Sequence, residues 1–73
     1  MRKDKVIVKN DILSEKAALD LKIEKLSSFI IGVAFMGLSQ DQKYAMNAQL
    51  KAMNDYSRAL RDRIIDLTSQ EAE

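Results

Sequence analysis

Residues 46–67, MNAQLKAMNDYSRALRDRIIDL, decide the fold of this 73-residue chain. Within them, apolar side chains recur in alternating steps of four and three residues, and a small polar residue, Ser57, interrupts the series once. The apolar members of the series are Met46, Leu50, Met53, Leu60, Ile64 and Leu67. Side chains with this spacing lie along one face of an α-helix. The stretch therefore predicts an amphipathic helix whose apolar face packs against another helix.

This helix, the second of the chain, is predicted from about residue 40 to about residue 68. Ser39 and Gln42 mark its start, because they have the spacing of a capping box, in which the serine hydroxyl accepts a hydrogen bond from the third helical amide. Gly32 and Gly37 bracket the break that precedes it, since glycine commonly ends helices.

A first helix is predicted from about residue 10 to about residue 31, with Asn10 or Asp11 as its N-cap. Its apolar face has the same spacing as that of the second helix, and Lys16 interrupts it. The residues of this face are Ile12, Leu19, Ile23, Leu26, Ile30 and Val33. A second apolar strip beside it consists of Leu13, Ala17 and Leu21, joined by Phe29. Together the two strips are wider than the contact of a two-stranded coiled coil requires.

Residues 1–9 are predicted to form a basic N-terminal arm outside the helices. Within this arm, residues 5–9, KVIVK, are rich in β-branched side chains, which favour a short strand or an extended segment over a helix. Two interpretations stay open: an ordered or frayed terminus, or an arm that pairs with a neighbouring subunit.

The predicted fold class is all-α, with residues 10–73 forming a two-helix antiparallel hairpin after the arm. A domain of this size buries only about 60% of the surface that its unfolded chain exposes. Because the chain has no cysteine and no histidine, disulfides and ordinary zinc sites do not support it. Ala45, Ala52 and Ala59 recur every seven residues and let a neighbouring helix approach closely. We therefore expect a homo-oligomer, either a four-helix bundle or a larger assembly of hairpins.

The composition also argues against several classes of function. Without cysteine or histidine the chain lacks common nucleophiles, bases and metal ligands, so we expect no enzyme, metal or cofactor. A net charge of +1 offers no strong field for nucleic acid or an anionic membrane. The longest uncharged apolar stretch, residues 29–38, is about half the length of a membrane-spanning helix. With no pattern of a secretory signal, we expect a cytoplasmic protein.

One candidate binding group is basic and lies on the second helix. Arg58 and Arg61 are one turn apart and can hold a phosphate between them, with Arg63 close by in sequence. Tyr56 offers a ring on which a base can stack. The alternative is a surface of salt bridges between arginine and aspartate, with the tyrosine at the edge of the core.

A second candidate group is apolar and lies at the turn between the helices. It consists of Ile31, Phe35, Met36 and Leu38, and we call it the apolar turn. A plain hairpin would place polar residues there. The group can dock another protein, because methionine and phenylalanine make adaptable contacts. The alternative is packing against the N-terminal arm or a second subunit.

The chain resembles a family of small α-helical hairpin proteins common in tailed phages and prophages, including crAss-like phages. The residues that carry the resemblance lie within residues 12–67: residues 19–26 (LDLKIEKL), Phe29, Ile30, residues 49–53 (QLKAM), Tyr56, Leu60, Arg63 and Ile64. The resemblance implies a small accessory factor without catalytic activity. Such factors commonly bind and block a host component, often a defence system.

Three functions follow from these observations. The first is a stoichiometric inhibitor of a host defence system, of the anti-CRISPR or a similar type, which binds its protein target through the apolar turn. The alternative is an oligomeric sponge that sequesters a cyclic nucleotide immune signal with the basic group. The third is a structural or regulatory helical oligomer, for which the near-neutral charge argues against nucleic acid as the partner.

Overall fold

The structure is a computed structural model that describes the backbone of residues 2–71 and the side chains of residues 6–70. It contains three helices: α1 (Arg2–Ile30), α2 (Val33–Met36) and α3 (Gln40–Glu71). The prediction of an all-α fold is confirmed, since the described residues form no strand. The structure has one helix more than predicted, because a single helical turn, α2, forms between the two glycines of the connection.

The two long helices lie side by side and run in opposite directions. The molecule is 52 Å long and 14 Å across, and α3 alone spans about 48 Å at 1.5 Å per residue. Two long helices fit within a length of 52 Å only if α1 runs antiparallel alongside α3. In agreement, Val8 near the start of α1 lies beside Leu67 near the end of α3. Further along α1, Asp20 contacts Ser57.

The predicted apolar faces meet between α1 and α3. Leu60 is fully buried and Ile12 is 4% exposed, and these are the two buried apolar side chains of the described part. The other members of the two faces are half-buried: Leu19, Ile23, Leu26, Ile30, Met46, Leu50, Met53, Ile64 and Leu67. The core is small, because two helices alone cannot enclose their apolar faces completely.

Val33 does not belong to this contact, so its predicted place in the first apolar face was wrong. It is 86% exposed, because α1 ends at Ile30 and the backbone becomes extended at Gly32, with a ψ of 166°. The chain direction changes there, so residues beyond Gly32 no longer follow the helical spacing of α1.

The predicted N-terminal arm was also wrong, because residues 2–9 continue α1 as helix. Asn10 and Asp11 therefore lie inside the helix and are not its N-cap. Extending a formed helix by one residue costs little, and the low helix propensity of valine and isoleucine amounts to less than about 0.7 kcal/mol each. A strand would need a second strand to pair with. Met1 lies outside the described residues.

The start of α3 is as predicted. Its first residue is Gln40, and the backbone amide of Gln42 donates to the Ser39 hydroxyl oxygen at 3.2 Å. Ser39 thus caps the helix by accepting one of the amide hydrogens that have no partner within the first turn. The helix runs three residues beyond its predicted end at residue 68 and ends at Glu71.

Leu60→Ala tests whether the small core carries the stability. We expect the free energy of unfolding in urea to fall by about 2–5 kcal/mol, since a fully buried leucine is lost and a cavity remains. Ile65→Ala is the matched control on the same helix, because Ile65 is exposed, and its effect should stay below about 1 kcal/mol. Equal losses for the two variants would contradict this placement of the core.

Candidate functional site

The two polar interruptions of the apolar faces meet across the helix pair at one carboxylate. Lys16 Nζ donates to Asp20 Oδ2 at 2.7 Å, and Ser57 Oγ donates to Asp20 Oδ1 at 2.6 Å. Ser57 is only 9% exposed, so its hydroxyl needs this partner. The contact explains why a serine lies in the apolar series of α3 and a lysine in that of α1.

These hydrogen bonds hold the pKa of the Asp20 carboxyl below its usual value of 3.8. The largest cause is the hydrogen bond from Lys16, followed by the one from Ser57, and partial desolvation opposes both. Asp20 therefore favours the folded state in its ionised form.

A shallow groove lies beside this contact, with a volume of about 380 Å³. It is lined by Lys16 from α1 and by Asn54, Ser57, Arg58 and Arg61 from α3. We call it the basic groove. The structure thus places Arg58 and Arg61 in one groove and adds Lys16, Asn54 and Ser57. The sequence held a signal for two of these additions, since Lys16 and Ser57 are the polar residues within the apolar series.

The two arginines of the basic groove are held by exposed ion pairs. Arg58 Nη1 lies 3.6 Å from Asp55 Oδ1, and Arg61 Nη2 lies 3.2 Å from Asp62 Oδ1. All four side chains are more than half exposed. Pairs of this kind contribute between about 0 and 1 kcal/mol. An incoming anion can therefore displace the two aspartates at small cost.

The other two members of the predicted basic group lie on the opposite edge of α3. Tyr56 Oη donates to Glu15 Oε1 of α1. Arg63 lines a separate groove of about 340 Å³ that also contains Val8 and Leu67. The four predicted residues therefore do not form one site. The spacing along α3 explains this separation. Residues 56 and 63 are seven apart and share one helix face, whereas residues 58 and 61 share another.

The bond to Glu15 raises the pKa of Tyr56 above its usual 10.0, and it is the largest cause. Partial desolvation and the negative charge of Glu15 act in the same direction, and Arg63 opposes them. The phenol hydroxyl is thus engaged within the helix pair, as expected for a residue at the edge of the core.

The apolar turn is only partly exposed. Ile31 is 87% and Met36 is 73% exposed, whereas Phe35 and Leu38 are half-buried. Lys43 Nζ lies 5.9 Å from the centre of the Phe35 ring, which is a cation–π distance. The exposed part of this region is therefore formed by Ile31, Met36 and Val33. Val33 was not predicted to belong to this group.

Within the part of the chain that the structure describes, no helix is both long and apolar enough to cross a bilayer. In the same part, no cluster of three acidic side chains is placed to hold a metal ion. The arrangement offers instead a basic groove for an anion and an apolar surface at the turn.

Comparison with known proteins identifies a family. A family model described as Sequestin matches residues 8–66, which is more than half of the chain. The matched residues include the basic groove, the Asp20 contact and the apolar turn. No curated protein and no solved structure matches the chain.

The Asp20 contact predicts a specific dependence of stability on pH. Because the folded state lowers the pKa of Asp20, its contribution is complete above the usual pKa and is lost as the pH falls through the folded pKa. At neutral pH, Asp20→Asn should therefore melt at a lower temperature than the wild type. Thermal unfolding from about pH 6 to about pH 2 should show this difference shrink toward zero. A difference that does not change with pH would contradict the assignment.

Proposed function

This chain belongs to the Sequestin family, and from that premise we propose that it binds and holds a ligand without transforming it. The name of the family refers to sequestration. The ligand that we propose is a small phosphate-bearing molecule of the cyclic nucleotide class. The observation that carries the proposal is the basic groove, in which both helices contribute polar and cationic groups to one concave surface.

The groove contains the chemistry that a phosphate requires. Arg58 and Arg61 lie one turn apart, so their planar guanidinium groups can form paired hydrogen bonds with the oxygens of one phosphate. Lys16 adds a third positive charge from α1, and its bond to Asp20 fixes its position at the wall of the groove. The hydroxyl of Ser57 and the amide of Asn54 add neutral polar groups. Their directionality favours an oriented ligand over a free ion.

The size of the groove also supports a small ligand. Sites for small molecules have volumes of about 300–1,000 Å³, and the groove has about 380 Å³. It is open on one side, so a single chain leaves much of the ligand in water. We propose that two or more copies of the hairpin assemble and enclose the ligand between them.

The proposed biological role is the removal of an immune signal. In line with the resemblance to phage proteins, the chain would act as a stoichiometric sponge in the cytoplasm of the infected host cell. Each bound nucleotide would be withdrawn from the defence protein that it activates. This role needs a high copy number and tight binding, and it needs no catalytic group.

The arginine pair gives the direct test of this function. Protein purified from cells that produce cyclic nucleotide signals is denatured, filtered and assayed for nucleotide by absorbance near 260 nm and by mass spectrometry. We expect the wild type to release a nucleotide, and Arg58→Ala/Arg61→Ala to lose at least about nine tenths of it, since two charge-assisted contacts are removed.

Arg63→Ala is the matched control, because Arg63 is on the same helix but lines the other groove. It should release as much nucleotide as the wild type. A wild type that releases no phosphate-bearing molecule would contradict the proposed function. A loss confined to Arg63→Ala would move the site to the other edge of α3.

A second candidate function is supported by the exposed apolar side chains at the turn. Ile31 and Met36 are largely exposed and contribute little to the contact between the long helices. Under this alternative, the chain inhibits a host defence protein by direct binding through the apolar turn. Exposed methionine and isoleucine side chains are typical of such docking surfaces.

Ile31→Asp distinguishes this alternative from the sponge. If the turn binds a protein, the variant should lose a near-stoichiometric partner in an affinity pull-down from defence-expressing cells, because a carboxylate in an apolar interface is costly. Its helicity by circular dichroism should equal that of the wild type. Asp41→Asn, which changes an exposed side chain at the start of α3, is the control. Equal capture by Ile31→Asp and the wild type would contradict docking through the turn.

A further inference from the structure

The isolated chain exposes more surface than a compact protein of its mass. Its accessible surface is 5618 Å², whereas a compact monomer of this mass exposes about 4,600 Å². The excess is about 1,000 Å², and a stable protein–protein interface removes about 800 Å² from each partner. The excess is therefore sufficient for one interface with a second copy of the chain.

One face of α1 carries large apolar side chains that the helix pair leaves uncovered. Val6, Leu13, Ala17 and Leu21 follow one another in steps of seven, four and four residues, so they share one side of the helix. All four are exposed. We call this side the outer strip. It is rotated away from the contact with α3, since Leu13 follows the buried Ile12 by one residue, or about 100° around the helix.

The side of α3 that faces away from the basic groove is less suited to an interface. There α3 presents the small side chains Ala45, Ala52 and Ala59. Tyr56 on the same side already donates its hydroxyl to Glu15 of the same chain. Burial of alanine removes less apolar area from water than burial of leucine or valine, and therefore stabilises less.

We infer that a second copy of the chain packs its own outer strip against this one. Most homodimers pair the same face of both copies about a two-fold axis. The basic groove lies at this face, because Lys16 is one helical turn from Leu13 and next to Ala17. Its three cations each have an aspartate partner, Asp20, Asp55 or Asp62. Two grooves can therefore approach each other without net repulsion.

This arrangement has a consequence for the ligand site, and that consequence rests on the proposed function. The second copy covers the open side of the basic groove and brings a second pair of arginines, Arg58 and Arg61, toward the first. A ligand with two phosphate groups would then contact both copies. A cyclic ligand in which one phosphate links two sugars would do the same. The dimer itself requires no ligand.

The oligomeric state tests the inference without any ligand. Sedimentation equilibrium in a chloride buffer without phosphate should give twice the monomer mass for the wild type, or a higher even multiple. Leu13→Glu and Leu21→Glu should each give the monomer mass, because the carboxylates would be buried against one another. Ala52→Glu is the matched control on the side of α3 that faces away from the basic groove and should keep the wild-type mass. Glutamate is a good helix former, so the helicity should be unchanged.

Three results would overturn the inference. They are a monomeric wild type, leucine variants that keep the wild-type mass, or dissociation of Ala52→Glu alone. If the glutamate variants lose helicity, single cysteines decide the question, since the chain has none of its own. Oxidation should then link Leu21→Cys into a covalent dimer and leave Ala52→Cys monomeric, and the reverse pattern would overturn the inference. Nucleotide release is measured separately, so a monomer that releases nucleotide would refute only the dimer.

Discussion

The contact of Lys16 and Ser57 with Asp20 is the interaction on which the rest of the structure depends. The apolar faces of α1 and α3 repeat every seven residues, so they could also meet after a shift of one helix along the other. Lys16 and Asp20 both lie on α1 and pair in any register, at 2.7 Å, whereas only one register brings the hydroxyl of the buried Ser57 to the same carboxylate, at 2.6 Å. A buried polar group within a repeating apolar contact is an established way to specify register. The same register places Lys16 opposite Arg58 and Arg61 and so creates the basic groove.

The small core of the helix pair also bears on function, because it leaves the pair dependent on additional contacts. Ile12 and Leu60 are the two buried apolar side chains of the described residues, and a pair of helices with so small a core gains much from additional contacts. A second copy or a ligand that bridges both helices would supply them. Under the proposed function, no rigid, preformed active site is needed, because sequestration requires binding alone. The exposed ion pairs of Arg58 and Arg61 agree with this, since they leave the guanidinium groups available to an anion.

Much of the fold could be predicted from the sequence, because helical spacing reports directly which side chains share a face. The apolar face of α3 and its cap at Ser39 follow from spacing and side-chain chemistry alone. The N-terminal residues were predicted wrongly, since local β propensity is weaker than the advantage of extending a helix that is already formed. The contact at Asp20 could not be predicted, because Asp20 and Ser57 are 37 residues apart in sequence and meet only through the register of α1 against α3. For the candidate site, helical phase could have separated Tyr56 and Arg63 from Arg58 and Arg61.

The central claim is that the Asp20 contact selects one register of the helix pair. It is tested most directly by a two-dimensional amide NMR spectrum of Lys16→Leu/Asp20→Ala/Ser57→Ala, which replaces all three polar side chains of the contact with apolar ones. We predict that this variant resists urea at least as well as the wild type, because replacing a whole buried polar contact with apolar side chains is often stabilising. We also predict more than one set of amide resonances for this variant, whereas the wild type gives one set. A single set with unchanged contacts between α1 and α3 would contradict the claim.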